Sequence, residues 1–496
     1  MKLTATRFAF TSMACAGILF SGFGAAMAAP GNIDDGANGS ITIVKLEQPD
    51  NAGGPATGRP ENVDSMKKLP GATFKVQRVT SVDGVDVTDK GLKDPKAWEA
   101  FSKATVDNSK AGAEVGSGTT GKNGEVKISD LPVGLYLVTE TKAPAGAAEA
   151  APFLVALPFN DDKGTADKAD DAWNYDVTVY PKNSVSSVAK ELNAPSDAAA
   201  LKTGDTVTWN VTGSLPANNK NARLTAASYT DTLDQRLGYV KVENVKFAGK
   251  ALADGDYTVE NKGQNVTVTL SDAWLKQDHP KGDLTFDIVT TMKAGHDALG
   301  NGVIPNQITQ TTITNGGKPV TVTSEKPETK WGEVTLAKQD AGNKKRLEGA
   351  EFQLFASEAD AKAGDNAITV DGKNVFTTGD VDLNGDGSVS AEEQGTLRIS
   401  ALNTGAEGSR DYWVKETKAP NGYTLPSGDA AIHKVTVTPG VKTVAEITVD
   451  NTANSNITLP VTGAAGTAGL LALAGGLAAS GAVVVIRNKK KASVEE

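Results

Sequence analysis

Cysteine is all but absent, since Cys15 is the only one in 496 residues. One thiol has no partner within its own chain, so intramolecular disulfides do not hold this protein together. Histidine is nearly as scarce. His279, His296 and His433 are scattered with no metal-ligand or triad spacing, and each reads as a surface or loop residue. That leaves ordinary side-chain catalysis without its usual machinery, and no organic cofactor is expected. An excess of positive charge is missing too, the formal net charge being −10. With no basic stripe to displace counterions, nucleic-acid binding is excluded.

What is present shows first at the two ends. Lys2 and Arg7, an apolar stretch from Phe8 to Phe23 and the small residues around Ala26-Met27-Ala28 have the layout of a signal peptide over 1–28. Cys15 falls inside it, so the mature region has no cysteine. Extracellular domains commonly rely on disulfides, so a different device for durability is expected. At the other end a polar linker from 453 leads to Leu459, Pro460, Val461, Thr462 and Gly463. An uncharged segment, 464–486, follows, and then Arg487, Lys489, Lys490 and Lys491 in the tail 487–496. At about 1.5 Å per residue the segment reaches across the roughly 30 Å hydrocarbon core. The basic cluster is expected to stay on the cytoplasmic side.

Between the ends the signals are those of strands. Ile41-Thr42-Ile43-Val44, Asn265 to Leu270 and Val435-Thr436-Val437 alternate β-branched with polar residues, and Gly, Asn, Asp and Pro separate such runs. Short strands at regular spacing predict an all-β chain of antiparallel sandwiches. The main helical candidate is Pro95 to Ala104, where Trp98 and Phe101 share a face. Three blocks recur in order. ITIVKLE, LPGATFKVQRV and LYLVTETKAPAG near the start match VTLAKQD, LEGAEFQLF and YWVKETKAPNGY further on. The repeat predicts two like domains, 29–183 and 331–452, around a different β-rich one at 184–330.

These blocks resemble the Ig-like domains of Gram-positive pilins and surface adhesins. The outer two resemble the collagen-adhesin B type, whose E-box pattern YxLxETxAPxGY is met by Tyr412, Val414, Glu416, Thr417, Ala419, Pro420, Gly422 and Tyr423. The first copy departs where Ala147 replaces the final Tyr. The middle domain resembles the collagen-adhesin A type. Leu459 to Gly463, with the span and basic stop behind it, resembles a sortase sorting signal. The resemblance implies that a sortase cysteine attacks the Thr462 carbonyl, releases Gly463 and passes the chain to an acceptor amine. The run Trp173 to Asn183 is similar to the WxxxVxVYPK motif of Spa-type major (shaft) pilins, which implies Lys182 as acceptor. Val177 and Val179 would share one face, Pro181 would end the strand, and Lys182 would lie just beyond it.

The same families form Lys–Asn isopeptide bonds. By resemblance the triples are Lys45, Glu140 and Asn183; Lys190, Asp231 and Asn306, with Asn301 as an alternative; and Lys338, Glu416 and Asn451. The chemistry suits burial: an apolar core favours a neutral, nucleophilic lysine and a protonated carboxyl that polarises the asparagine. An unreacted buried ion pair is the other reading. The resemblance implies a sortase substrate, not an enzyme, in a wall-anchored pilus. Its partners would be copies of itself, pilus-specific and housekeeping sortases, minor tip and base pilins, peptidoglycan and host surface molecules. A monomeric wall-anchored adhesin or a base pilin are the competing readings.

One motif stands apart. Asp382 to Glu393 fits an EF-hand loop, DxNxDGxxxxxE, with no flanking helices evident. Asp382, Asn384, Asp386, Ser388, Ser390 and Glu393 would ligate a structural Ca2+.

Overall fold

Successive side chains of a strand point to opposite faces, so the alternating runs above should each give a sheet one apolar side. The computed structural model describes residues 33–50, 58–88, 94–161, 172–219, 222–293 and 295–454. It consists of three successive β-sandwich units with a few short helices. The signal peptide, Leu459 to Gly463 and the 464–496 region lie outside the described residues.

In the first unit, strand Asn38–Val44 pairs antiparallel with Glu125–Pro132 and parallel with Asp176–Val179. The opposing sheet holds Thr73–Val82 against Gly134–Lys142, which in turn pairs with Phe153–Leu157. Ile41, Ile43, Phe74, Tyr136, Val138, Val155 and Val177 fill the space between them. Helix Pro95–Ser102 is capped by the Asp94 carboxylate, which accepts from Lys96 N, and proline opens its first turn. Its Trp98 and Phe101 rings lie 5.1 Å apart.

One sequence expectation changes here. Pro181 interrupts the final strand but does not end it. The Pro181 carbonyl still accepts from Leu46 N–H at 3.0 Å, since the proline ring removes only a donor. Lys182–Asn183 then forms a further strand, parallel to Leu46–Glu47.

The middle unit stacks two five-stranded sheets. Trp209, Tyr229 and Phe286 are fully or almost fully buried in the core. The third unit repeats the first: strand Glu328–Asp340 pairs parallel with the last strand, Ile447–Asn451. The expected boundary at Lys330/Trp331 falls inside this 13-residue strand. Its beginning pairs with Val303–Pro305 of the middle unit and its remainder with Thr396–Asn403 of the third. Trp331 belongs to the middle unit's core, so no linker separates the two units.

Close approach makes that joint specific. A Cβ at Gly302 (φ 71°) would come within 1.9 Å of the Trp331 carbonyl. Buried Asp197 accepts from Thr329 Oγ1 at 2.9 Å and from Asn403 Nδ2 at 3.0 Å. The joint between the first and middle units is lighter. Ser186 N–H donates to the Gly146 carbonyl at 2.8 Å, and Lys281 pairs with Glu47.

Candidate cross-linking sites

Each unit holds one lysine, one acid and one asparagine in its core. In the first, Lys45 directly follows strand Asn38–Val44, Glu140 comes from Gly134–Lys142 and Asn183 from the last strand. Lys45 is fully buried, with Glu140 and Asn183 nearly so. Lys45 Nζ bonds Asn183 Oδ1 and donates to Glu140 Oε2 at 3.3 Å. Asn183 Nδ2 donates to Glu140 at 3.1 Å, and Ala150 N–H donates to Glu140 Oε2 at 2.6 Å.

The third unit reproduces this. Lys338 Nζ lies 2.5 Å from Asn451 Oδ1 and 3.1 Å from Glu416 Oε2, and Asn451 Nδ2 donates to Glu416 Oε1 at 2.7 Å. Burial pushes the Lys338 amine below its ordinary value, against the pull of Glu416. The repeat extends to the floor of each site. Phe74 stands opposite Glu140 in register, and Phe352 stands opposite Glu416. Lys45 Nζ sits 5.5 Å from the Phe74 ring centroid. The aromatic floor excludes water while tolerating a cation on its face.

The middle unit arranges its triple differently. Lys190 bonds Asp231 and stands 5.3 Å from the Trp209 centroid. Burial drives Lys190 down to about 8 and raises Asp231, each against the attraction of the other. Asn306 is buried, and its nearness favours the ionised Asp231 carboxyl. Neither of its amide atoms reaches strict hydrogen-bond geometry, so it adjoins the pair without yet engaging it. Asn301 lies exposed at a turn, where its side chain accepts from Val303 N, so the structure brings Asn306 to the pair and not Asn301.

Lys182 is half-buried beside the joint of the first and middle units, its ammonium 3.4 Å from the Tyr180 carbonyl. The neighbouring Asn183 points the other way, into the core.

The 382–393 loop closes on its own amides. Asp382 accepts from Gly385 N at 2.7 Å and Gly387 N at 2.9 Å, and Asn384 from Asp386 N at 2.8 Å. Asp386 accepts from Ser388 N at 2.8 Å. Glu393 Oε1 accepts from Leu383 N at 2.9 Å, and Oε2 accepts from Ser390 N at 2.9 Å and Ser390 Oγ at 2.7 Å. Those bonds hold the Glu393 carboxyl below the ordinary range, the Ser390 amide contributing most. Among the described residues no three His, Cys, Asp or Glu side chains converge as ligands. The donor types fit calcium, but Glu393 would have to exchange amide partners for the ion.

The histidines are not simply surface residues. His279 stacks on Trp274 at 3.8 Å, His296 Nδ1 lies 2.9 Å from buried Glu333, and His433 is half-buried in strand Ile432–Val437. Residue type alone gave no sign of this. The Phe74/Phe352 floor was visible in hindsight, as the shared Phe of GATFKV and GAEFQL.

Tandem β-sandwiches, each with a buried Lys–acid–Asn core, ahead of an LPxTG run define a wall-anchored surface protein of Gram-positive type. Residues 37–184 match the Gram-positive pilin subunit D1 N-terminal domain, 187–330 the Sgo0707 N2 domain, 332–453 the SpaA prealbumin-like fold domain and 451–493 the LPXTG cell wall anchor motif. The chain is 32% identical to fimbrial subunit type 2 of Actinomyces naeslundii, over 93% of this chain and 92% of that one. It is 31% identical to fimbrial subunit type 1 of Actinomyces viscosus, over 96% of both. The full-length major pilin SpaD of Corynebacterium diphtheriae superposes with a TM-score of 0.67 at 28% identity, covering 86% of this chain and 99% of that one. This chain belongs to the Gram-positive fimbrial subunit family, as a Spa-type major pilin of the cell-wall-anchored surface pilus.

Proposed function

We propose that the chain is polymerised head to tail by a class C-type pilus sortase, which joins Thr462 of one copy to Lys182 of the next. The sortase thiolate attacks the Thr462 carbonyl, and the bond to Gly463 breaks with its amine leaving. The Lys182 amine then attacks the thioester, and the thiolate leaves as the new amide forms. The observation that carries this reading is the placement of Lys182: it stands at a joint between units, on the side of its strand opposite the core. A monomeric adhesin has no need of that lysine. The fibre would end on minor tip and base pilins, and a housekeeping sortase would join it to peptidoglycan. Loss of the SDS-resistant ladder in Lys182→Ala, with monomer still on the wall, is the test.

The buried triples are read as sites of spontaneous Lys–Asn bonding. The neutral amine attacks Asn Cγ, the acid carries the proton to the departing nitrogen, and ammonia leaves. The closed loops would span 138 residues in the first unit and 113 in the third. On the chain-entropy account of cross-links each is worth about 4–5 kcal/mol. Tension would then run from first strand to last without unravelling the sandwich. The 382–393 loop is read as a weak, structural calcium site.

A further inference from the structure

Glu140 and Glu416 occupy the same register in the two repeats, yet their surroundings differ at one point. Glu140 Oε2 receives the Ala150 N–H at 2.6 Å, ten residues further along the chain. Glu416 has no such donor: the segment after it runs four residues longer before its strand returns, 416 to 433 against 140 to 153. Accordingly Glu416 Oε2 is buried with no hydrogen bond, although Lys338 stands 3.1 Å away in ion-pair range.

A second orphan lies close by. His433 Nε2 is buried and also without a hydrogen-bond partner. Strand Ile432–Val437 pairs with Arg410–Lys418 so that His433 faces Val414, two residues from Glu416 on the same side of the sheet. That makes His433 and Glu416 diagonal cross-strand neighbours, at a separation long side chains bridge. In the first unit the register partner of Val138 is Phe153, an apolar residue. The histidine therefore accompanies the missing amide, and the phenylalanine accompanies its presence.

We propose that His433 is a positioning residue for the Lys338–Asn451 reaction: its neutral imidazole moves into hydrogen-bond reach of Glu416 Oε2 as the bond forms, a contact the two unpartnered atoms do not make in this structure, and holds that carboxyl against Asn451, the task Ala150 N–H performs for Glu140. This rests on the isopeptide reading above. The bond-forming step is unchanged, with the Lys338 ammonium proton passing to Glu416, the amine attacking Asn451 Cγ, and ammonia leaving with the proton Glu416 returns. A protonated His433 would hold Glu416 as a carboxylate and deny it that proton. Burial and the facing Lys338 both keep His433 below its ordinary 6.5. Lys338 is the charged group that acts on it, and Glu416 is its diagonal neighbour by register. On the helix and turn packed against the same hairpin, Lys362 pairs with Glu358 and Asp429.

The test follows the full mature chain after cell-free synthesis, with the cross-linked Lys338–Asn451 and Lys45–Asn183 peptides quantified by mass spectrometry over time. His433→Phe is expected to slow the third-unit bond roughly ten- to a hundredfold, the worth of one hydrogen bond to a charged group. His433→Gln, a neutral hydrogen-bonder, should restore most of the rate. The wild-type third-unit rate should climb as pH rises through a value below 6.5, a step missing from both variants and from the first unit. An unchanged rate in His433→Phe, or the same pH step in that variant, overturns the role of His433. A wild-type chain that never loses ammonia from the third unit overturns the isopeptide reading instead. Melting of the variants within a few degrees of a Lys338→Ala reference excludes misfolding as the cause.

Discussion

Lys182 and Asn183 are neighbours in sequence that leave opposite sides of one two-residue strand. Asn183 enters the core to meet Lys45, while Lys182 stays half-exposed at the joint with the middle unit. On the function proposed above, strand alternation alone would separate an amine meant for another molecule from an amide meant for its own domain. Lys182→Ala should abolish the covalent ladder and leave the first unit's internal bond intact. Asn183→Ala should do the reverse, leaving a ladder of mechanically weaker subunits. Immunoblots of boiled wall extracts read the first effect, and intact mass reads the second. Lys182→Arg should behave as Lys182→Ala, since a guanidinium stays protonated and is a poor acceptor.

Each internal bond removes one ammonia, about 17 Da by the stoichiometry of amide formation. The mature chain should therefore weigh about 51 Da less than its sequence if all three form. Glu140→Ala, Asp231→Ala and Glu416→Ala should each restore one ammonia and lower the melting temperature. An unshifted wild-type mass means that the triples persist as ion pairs.

The middle unit should show its own pH dependence. Lys190, lowered by burial to about 8, is mostly ammonium at neutral pH, and only the neutral amine attacks. Bond formation should accelerate as pH rises from about 6 toward 8, and flatten beyond as the amine is fully deprotonated. Raising Asp231 above its ordinary value acts in the opposite sense, because alkali removes the acid's proton. A rate that falls steadily from pH 6 to 8 would show that the acid, not the amine, is limiting.

The sequence carried most of this arrangement because repeated blocks tie residues to register. Lys45 and Lys338 hold the same place in the blocks ITIVKLE and VTLAKQD, and the E-box fixes Glu140 and Glu416 opposite Phe74 and Phe352. What it did not carry depends on contacts between distant segments. Pro181 reads as a strand terminator locally, but Leu46 pairs across it. The boundary near Lys330 falls where the two domain matches meet, but nothing local foretells that Val303–Pro305 pairs with the strand running through it. His433 reads as one of three scattered histidines until the pairing with Val414 turns it inward.

The 382–393 loop is expected to bind calcium weakly, in the range of extracellular modules. Asp382 accepts from the Gly385 and Gly387 amides, Asp386 from Ser388, and Glu393 is held by Leu383, Asn384 and Ser390. Calorimetric titration of the mature chain should show binding that is lost in Asp382→Ala with Glu393→Ala. No heat at millimolar calcium would leave the loop as a turn closed by its own amides.

The joint between the middle and third units should be stiff, and its stiffness should depend on Asp197. That carboxyl is almost fully buried and accepts from Thr329 Oγ1 and Asn403 Nδ2, while Trp331 Nε1 donates to Thr329 at 3.0 Å. Asp197→Ala removes the acceptor and strands the Asn403 amide in the core, which costs about 1–3 kcal/mol. Arg410 Nη1 still bonds the Ala200 carbonyl at 2.6 Å and Tyr412 Oη the Leu201 carbonyl at 3.0 Å, so the units should stay docked but move more. Faster amide exchange confined to Thr329, Trp331 and Thr404, with the three internal bonds intact by mass, is the expected result. Exchange unchanged at those amides would mean that the continuous strand alone sets the joint, and that the buried network adds nothing to its stiffness.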